Sequence, residues 1–271
     1  MRVAASGRTT TAFMHWLCCA FVFWFSGAVF ASDALGLAWL QAQVRADGSL
    51  AQEGVSAALP VQGRAEVATT LQAMAGTVPA VLLNAIDQTS GTSVEILARK
   101  ALAKQLTAPS TAYLDALAQQ QNPDGGFGAQ QGYASNVLDT AWALAAFTNE
   151  VNAYGGAVGQ AIAWLIGAQQ SDGQWRLAPD GDELVPTALA VQALQPYRQN
   201  VVVAAALSKA RAWLLAERDS ALVWGSSLRN AHALMAVLPG LAQAATVQAA
   251  VDALHTAQRP DGSWEGDPYV A

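Results

Sequence analysis

Apolar residues along this chain return every three or four positions, with no sustained apolar–polar alternation of the kind that marks strands. Alanine and leucine dominate these stretches, and both favour helix. The pattern predicts helices over about 33–45, 64–76, 78–87, 92–106, 110–121, 135–149, 156–170, 184–197, 201–217, 228–238 and 241–258. Between them lie short turns rich in Asp, Gly, Asn and Pro. The predicted fold class is all-α.

The turns repeat. In "AWLIGAQQSDGQW", Trp164 and Leu165 are followed by Gln169, Gly173 and Trp175. The same spacing places Ala116, Leu117, Gln121, Gly125 and Phe127 in one copy, and Ala253, Leu254, Gln258, Gly262 and Trp264 in another. Two weaker copies run from Trp39 to Leu50 and from Trp213 to Trp224. The closing apolar positions 50, 127, 175, 224 and 264 are separated, after the first gap, by 48, 49 and 40 residues, one helical hairpin each. The first gap is too long for one hairpin and predicts a degenerate copy near "NAIDQTSG". A tryptophan after a polar turn needs a reason. Ser171, Asp172 and Gly173 account for the turn, Gly173 by tolerating positive φ, but not for Trp175.

The Gln-x3-Gly-x-Trp frame resembles the QW motif of the squalene–hopene cyclase and protein prenyltransferase superfamily. The resemblance covers roughly residues 33–271. It implies an α/α toroid of helical-hairpin repeats, with an inner and an outer ring of helices; the alternative is an open helical solenoid. It also implies structural roles for Gln121, Gly125, Phe127, Gln169, Gly173, Trp175, Trp224, Gln258, Gly262 and Trp264. Each aromatic then folds back as a hydrophobic staple, and each Gln ties neighbouring hairpins while serving the indole N–H and the helix ends. The last copy, "RPDGSWEGDPYVA", stops where a return helix would begin at Tyr269, so the toroid is expected to be incomplete at its C-terminus.

Composition agrees. Of 271 residues, 53% are hydrophobic and 13% charged, against about a quarter charged in ordinary soluble domains. Net charge is −6, and no basic stripe with interleaved aromatics speaks for nucleic acid. Arg2 and Arg8 flank "WLCCAFVFWFSGAVFA", which reads as a signal peptide over 1–31 with cleavage after Ala31, or as an uncleaved N-terminal anchor. Residues 32–271 form the repeat domain. The expected localisation is exported: periplasmic, cell-surface or secreted, with membrane contact only through that segment if it is uncleaved.

Chemistry is harder to find. Cys18 and Cys19 both fall in the N-terminal segment, so the mature chain lacks the cysteine that a zinc-dependent prenyltransferase site needs. His232 and His255 stand on separate helices and read as structural rather than metal-binding. Cyclases of the resembled family use an Asp-x-Asp-Asp-Thr-Ala cluster to protonate an alkene. The matching segment "NVLDTA" keeps Asp139, Thr140 and Ala141 only, and Asp139 also reads as a helix cap. The next copy, "ELVPTA", keeps Glu183. Asp180, Asp182 and Glu183 make an acidic turn suited at most to surface binding. No catalytic residue, cofactor or metal site is assigned.

The sequence therefore predicts an exported, non-catalytic scaffold or binding module, the N-terminal part of a larger envelope-associated or secreted protein. Its partners would be an apolar ligand in the toroid cavity, with Asp139, Trp142 and His232 as its speculative lining, or a protein at the open C-terminal end. The alternative is a diverged terpene-cyclase-like enzyme acting on an isoprenoid or other long apolar substrate.

Overall fold

The computed structural model describes residues 29–53, 59–106, 111–177 and 183–264. Residues 1–28 of the expected signal or anchor segment, Asp180 and Asp182, and the C-terminal segment from Tyr269 lie outside them. Eleven α-helices are described: α1 (Val29–Gln43), α2 (Pro60–Ala75), α3 (Ala80–Asp87), α4 (Val94–Gln105), α5 (Ala112–Ala118), α6 (Val137–Phe147), α7 (Val151–Ala168), α8 (Leu184–Leu194), α9 (Val201–Ala216), α10 (Ser227–Val237) and α11 (Gln248–Ala257). The all-α expectation holds. Helix α3 and the turn containing Gly91 supply the degenerate hairpin foreseen in the long first gap. Helix α2 begins at Pro60 rather than near 64, because proline is at ease in the first turn of a helix, where its missing N–H has no partner to lose.

The even-numbered helices α2, α4, α6, α8 and α10 pack one against the next as an inner ring, each backed by odd-numbered outer helices. Burial follows this division. On α6, Val137, Ala141, Leu144 and Phe147 are buried; on α8, Leu184, Ala188, Val191 and Leu194 are. The apolar interior forms two clusters. One joins α4 to α11; the other holds α1 to α3, including Trp39, Leu50, Leu71 and Ile86.

Each hairpin is tied to the next by its turn. Gln169 Nε2 donates both to Gly173 O and to Ala206 O on the following outer helix, each at 2.9 Å. Gln121 does the same with Gly125 O and Ala157 O. The indole N–H is served differently from the sequence expectation. Trp175 Nε1 donates to Leu165 O at 2.7 Å, and Trp224 and Trp264 reach Leu214 O and Leu254 O. Each tryptophan thus closes the end of its own outer helix, whose last carbonyls have no intrahelical partner, and in the Trp175 unit Gln169 reaches the next outer helix instead. From the far side, Thr187 Oγ1 accepts the Trp175 N–H at 2.9 Å, Thr140 does so for Phe127, and Asn230 Oδ1 for Trp224.

Gly173 is needed twice over. Its φ of +104° suits glycine, and a Cβ there would stand 2.6 Å from Lys209 O on α9. The last turn repeats this against the first helix: a Cβ on Gly262 would meet Leu35 O at 2.2 Å, and the position of a Cβ on Gly36 lies 3.0 Å from the Trp264 ring. The outer ring therefore closes on itself, which excludes the open solenoid. Among the described residues it counts six helices to the inner ring's five.

Candidate functional site

An inner helix has a neighbour on each side and an outer helix behind it, so only its fourth face stays partly open. Half-buried residues recur on that face at helical spacing: Leu138, Trp142 and Ala145 on α6, Val185, Leu189 and Gln192 on α8, Leu228, His232 and Met235 on α10. Counting six residues from each helix cap (Leu59, Ser93, Asn136, Glu183 and Ser226) gives one level of the ring: Ala65, Arg99, Trp142, Leu189 and His232. One level thus holds a cation, an indole and an imidazole.

Arg99 is its centre, with 1% of its surface exposed. Its Nη1 donates to Glu66 Oε1 at 2.7 Å and its Nε to Glu95 Oε1 at 2.9 Å. Gln62 Nε2 donates to the same Glu95 oxygen at 2.8 Å. The guanidinium carbon stands 4.0 Å from the centroid of the Trp142 ring, a cation–π stack that fixes the indole. Sequence reasoning missed this group. Its visible signal is "EILARKALA", where Glu95 and Arg99 stand four apart and, with Lys100, interrupt an apolar run.

Asp139 sits at the third position of α6, not at its cap. Asn136 is the cap: its Oδ1 accepts the Asp139 N–H at 3.0 Å, and its Nδ2 donates to Asp139 Oδ2 at 2.5 Å. Burial pushes the Asp139 carboxyl above the ordinary aspartate range, and the charge of Glu95 pushes the same way; the Asn136 hydrogen bond opposes both and loses. Two carboxylates from adjacent inner helices therefore feel one another, although the sequence cluster is broken. Thr140, which the sequence reading grouped with Asp139, is committed to Phe127, accepting its N–H at 2.9 Å.

His232 lies across the ring from α2 and α4. Burial lowers its pKa, Glu66 pulls it up and Arg99 pushes it down. Its Nδ1 is shut from solvent with no hydrogen-bond partner among the described residues, as is Gln192 Nε2. Asp139 and Trp142 share a face of α6, while His232 is linked to them through Arg99. Glu183 holds the cap position of α8 with Oε2 buried and without a hydrogen bond among the described residues, and Pro186 takes the place equivalent to Asp139. Among the described residues no three His, Cys, Asp or Glu side chains converge as a metal cage, and no helix is long and apolar enough to cross a membrane.

No protein-family model matches the sequence, and no curated protein does. Solved structures do match. A protein from Actinoplanes is 19% identical with a TM-score of 0.66, the match covering 87% of this chain and 82% of that one. The type II terpene cyclase MstE from Scytonema, in complex with its substrate geranylgeranyl dihydroxybenzoate, is 19% identical with a TM-score of 0.66, over 87% of this chain and 80% of that one. The ent-copalyl diphosphate synthase from Streptomyces platensis is 19% identical with a TM-score of 0.64, over 81% of this chain and half of its own. The α/α toroid is shared with these proteins. The expectation of a non-catalytic scaffold rested on the broken acid cluster; it is overturned by the company the fold keeps, type II terpene cyclases solved with prenylated substrate and with product.

Proposed function

We propose that this chain is a diverged isoprenoid-processing enzyme of the type II terpene cyclase kind, which holds a long apolar polyene among its inner helices and protonates it from Asp139. The observation that carries this reading is the Asp139 carboxyl, pushed up by burial on the partly open face of α6, one helical turn from Trp142. A carboxyl acid held neutral against an apolar wall can donate to an alkene. Its O–H proton passes to one alkene carbon, the π pair forms the new C–H bond, and the other carbon becomes cationic. Attack by successive double bonds closes rings, and loss of a proton from the last cation restores the acid. No oxidant is consumed. Crowding comes from Glu95 on the next helix instead of from a second aspartate on the same one. Trp142 supplies a π face for cationic charge, and Leu138, Val185 and Leu189 supply apolar wall. The resemblance of the turns to the QW motif supports the same reading.

The test is incubation of the purified chain with squalene, geranylgeranyl diphosphate and geranylgeranyl dihydroxybenzoate, with products analysed by mass spectrometry. A cyclised isomer is expected from at least one. Asp139→Asn, which keeps the Asn136 contact, is expected to lower its formation by about 10²–10⁴-fold. Full activity in Asp139→Asn, or no product from any of the three, would sink the proposal. Export through the N-terminal segment belongs to the same reading, supported by Arg2, Arg8 and the uncharged run from Thr9 to Ser32; an antibody to the repeat domain should find it outside the cytoplasm.

A further inference from the structure

Outside the ring interior, α3 and α4 enclose a cleft of about 240 Å³, lined by Leu83, Asn84, Ile86 and Asp87 from α3 and by Lys100 and Lys104 from α4. Lys100 is the anomaly. Only 7% of its surface is exposed, yet its ammonium makes no hydrogen bond among the described residues; its near partner is the Tyr113 ring, whose centroid lies 5.3 Å away. The stem is covered while the ammonium still reaches solvent at the cleft, so the charged end of a largely buried side chain faces the opening. The nearest carboxylate is already engaged. Asp87 accepts the Tyr113 hydroxyl at Oδ1 and holds Lys104 Nζ at 3.1 Å from Oδ2. Those contacts keep Asp87 ionised, below the usual carboxylate range, and push the Tyr113 hydroxyl up to about 12. Lys100 and Lys104 both act on Asp87, so two ammonium charges face one carboxylate and one positive charge stands in excess on the cleft wall.

We propose that the α3–α4 cleft is a binding site for a small organic oxyanion, a carboxylate or phosphate on a short apolar stem, with Lys100 as its charge partner. Ala80 and Leu83 receive the stem, and Asn84 offers an amide to the headgroup. The cleft is smaller than the sites that hold drug-sized ligands, so it takes a small metabolite and not a prenyl chain. It is independent of the chemistry assigned to the inner ring.

The test uses the full chain and calorimetric titration with three probes: butyl phosphate, butyrate, and butanol as the stem without a charge. Saturable binding of at least one anion is expected, and none of butanol; the stronger anion identifies the headgroup class. Lys100→Met keeps the stem of the side chain and should weaken that binding by about tenfold or more. Asp87→Asn removes the competing negative charge and should tighten it severalfold, which gives a reading of opposite sign should Lys100→Met fail to fold. Equal binding by Lys100→Met, weaker or unchanged binding by Asp87→Asn, or no saturable binding of either anion at 10 mM would each overturn the site.

Discussion

Helices α4 and α6 do the same job in neighbouring places: both are inner helices, both start from a polar side-chain cap, and their positions match residue for residue. Yet α6 sets Trp142 and Ala143 where α4 sets Arg99 and Lys100. The unit before α6 keeps its glutamine and its aromatic, and Gln121 and Phe127 close the turn. The unit before α4 has lost both. Its turn is held instead by Gln120 Nε2 donating to Thr92 O at 2.7 Å and by Tyr113 on Asp87. The apolar interior also divides at α4. Where the repeat is kept, an inner helix is a wall; where it has decayed, charge has entered the wall.

The comparison breaks most sharply at Phe127, fully buried beneath the turn before α6. Phe127→Ala should cost about 3–5 kcal/mol, read by chemical denaturation. The turn before α4 has no aromatic to lose, so a cost under 1 kcal/mol would mean that the kept repeat is not what holds α6. Next comes Gln121→Ala, which strips two carbonyls of their donor and should cost about 1–3 kcal/mol. On the α4 side, Arg99→Met should cost only about 1 kcal/mol, because methionine fills the buried space beside Trp142 and Glu66 and Glu95, 37% and 26% exposed, can turn to water. Its sharper signature is electrical: with Arg99 gone and Glu66 left, the His232 pKa should rise in an NMR titration. An unmoved value would deny that α4 and α10 share a field.

The smallest expected effect is the pH dependence of Asp139. Its folded pKa is raised, so the folded state binds the proton more tightly than the unfolded one. Stability then falls as pH climbs from the ordinary aspartate value through the raised one. Asp139→Asn should gain melting temperature over wild type across that window and show a constant difference below it. A difference that does not vary with pH would mean that the carboxyl is not perturbed by its setting on α6.

Much of the ring was legible in the sequence because helical period and Asp-Gly turns are local signals. Gln169, Gly173 and Trp175 announce a hairpin without knowledge of their neighbours. The site was legible only in part. Asp139 and Trp142 could be placed on one helix face by counting, but the stack of Arg99 on Trp142 joins two helices, and the pairing of Glu95 with Asp139 depends on the same packing. The indole partners were misjudged for a related reason. A carbonyl ten residues back, such as Leu165 O, comes within reach only once the turn has folded over the helix end.

The seat of Gly262 on Leu35 has a bearing on the order of events. These residues are more than two hundred positions apart, and whichever way the chain is threaded out, one of them waits for the other. Contacts of such separation form slowly, because the loop between them must lose its freedom before the contact repays anything. Hairpins from α3 to α10 can form on neighbours already present, but α1 cannot find its final partner until α11 and the last turn have arrived. Completion of the ring is then the late step, and until it is reached Gly36 and the Trp264 ring lack each other as cover.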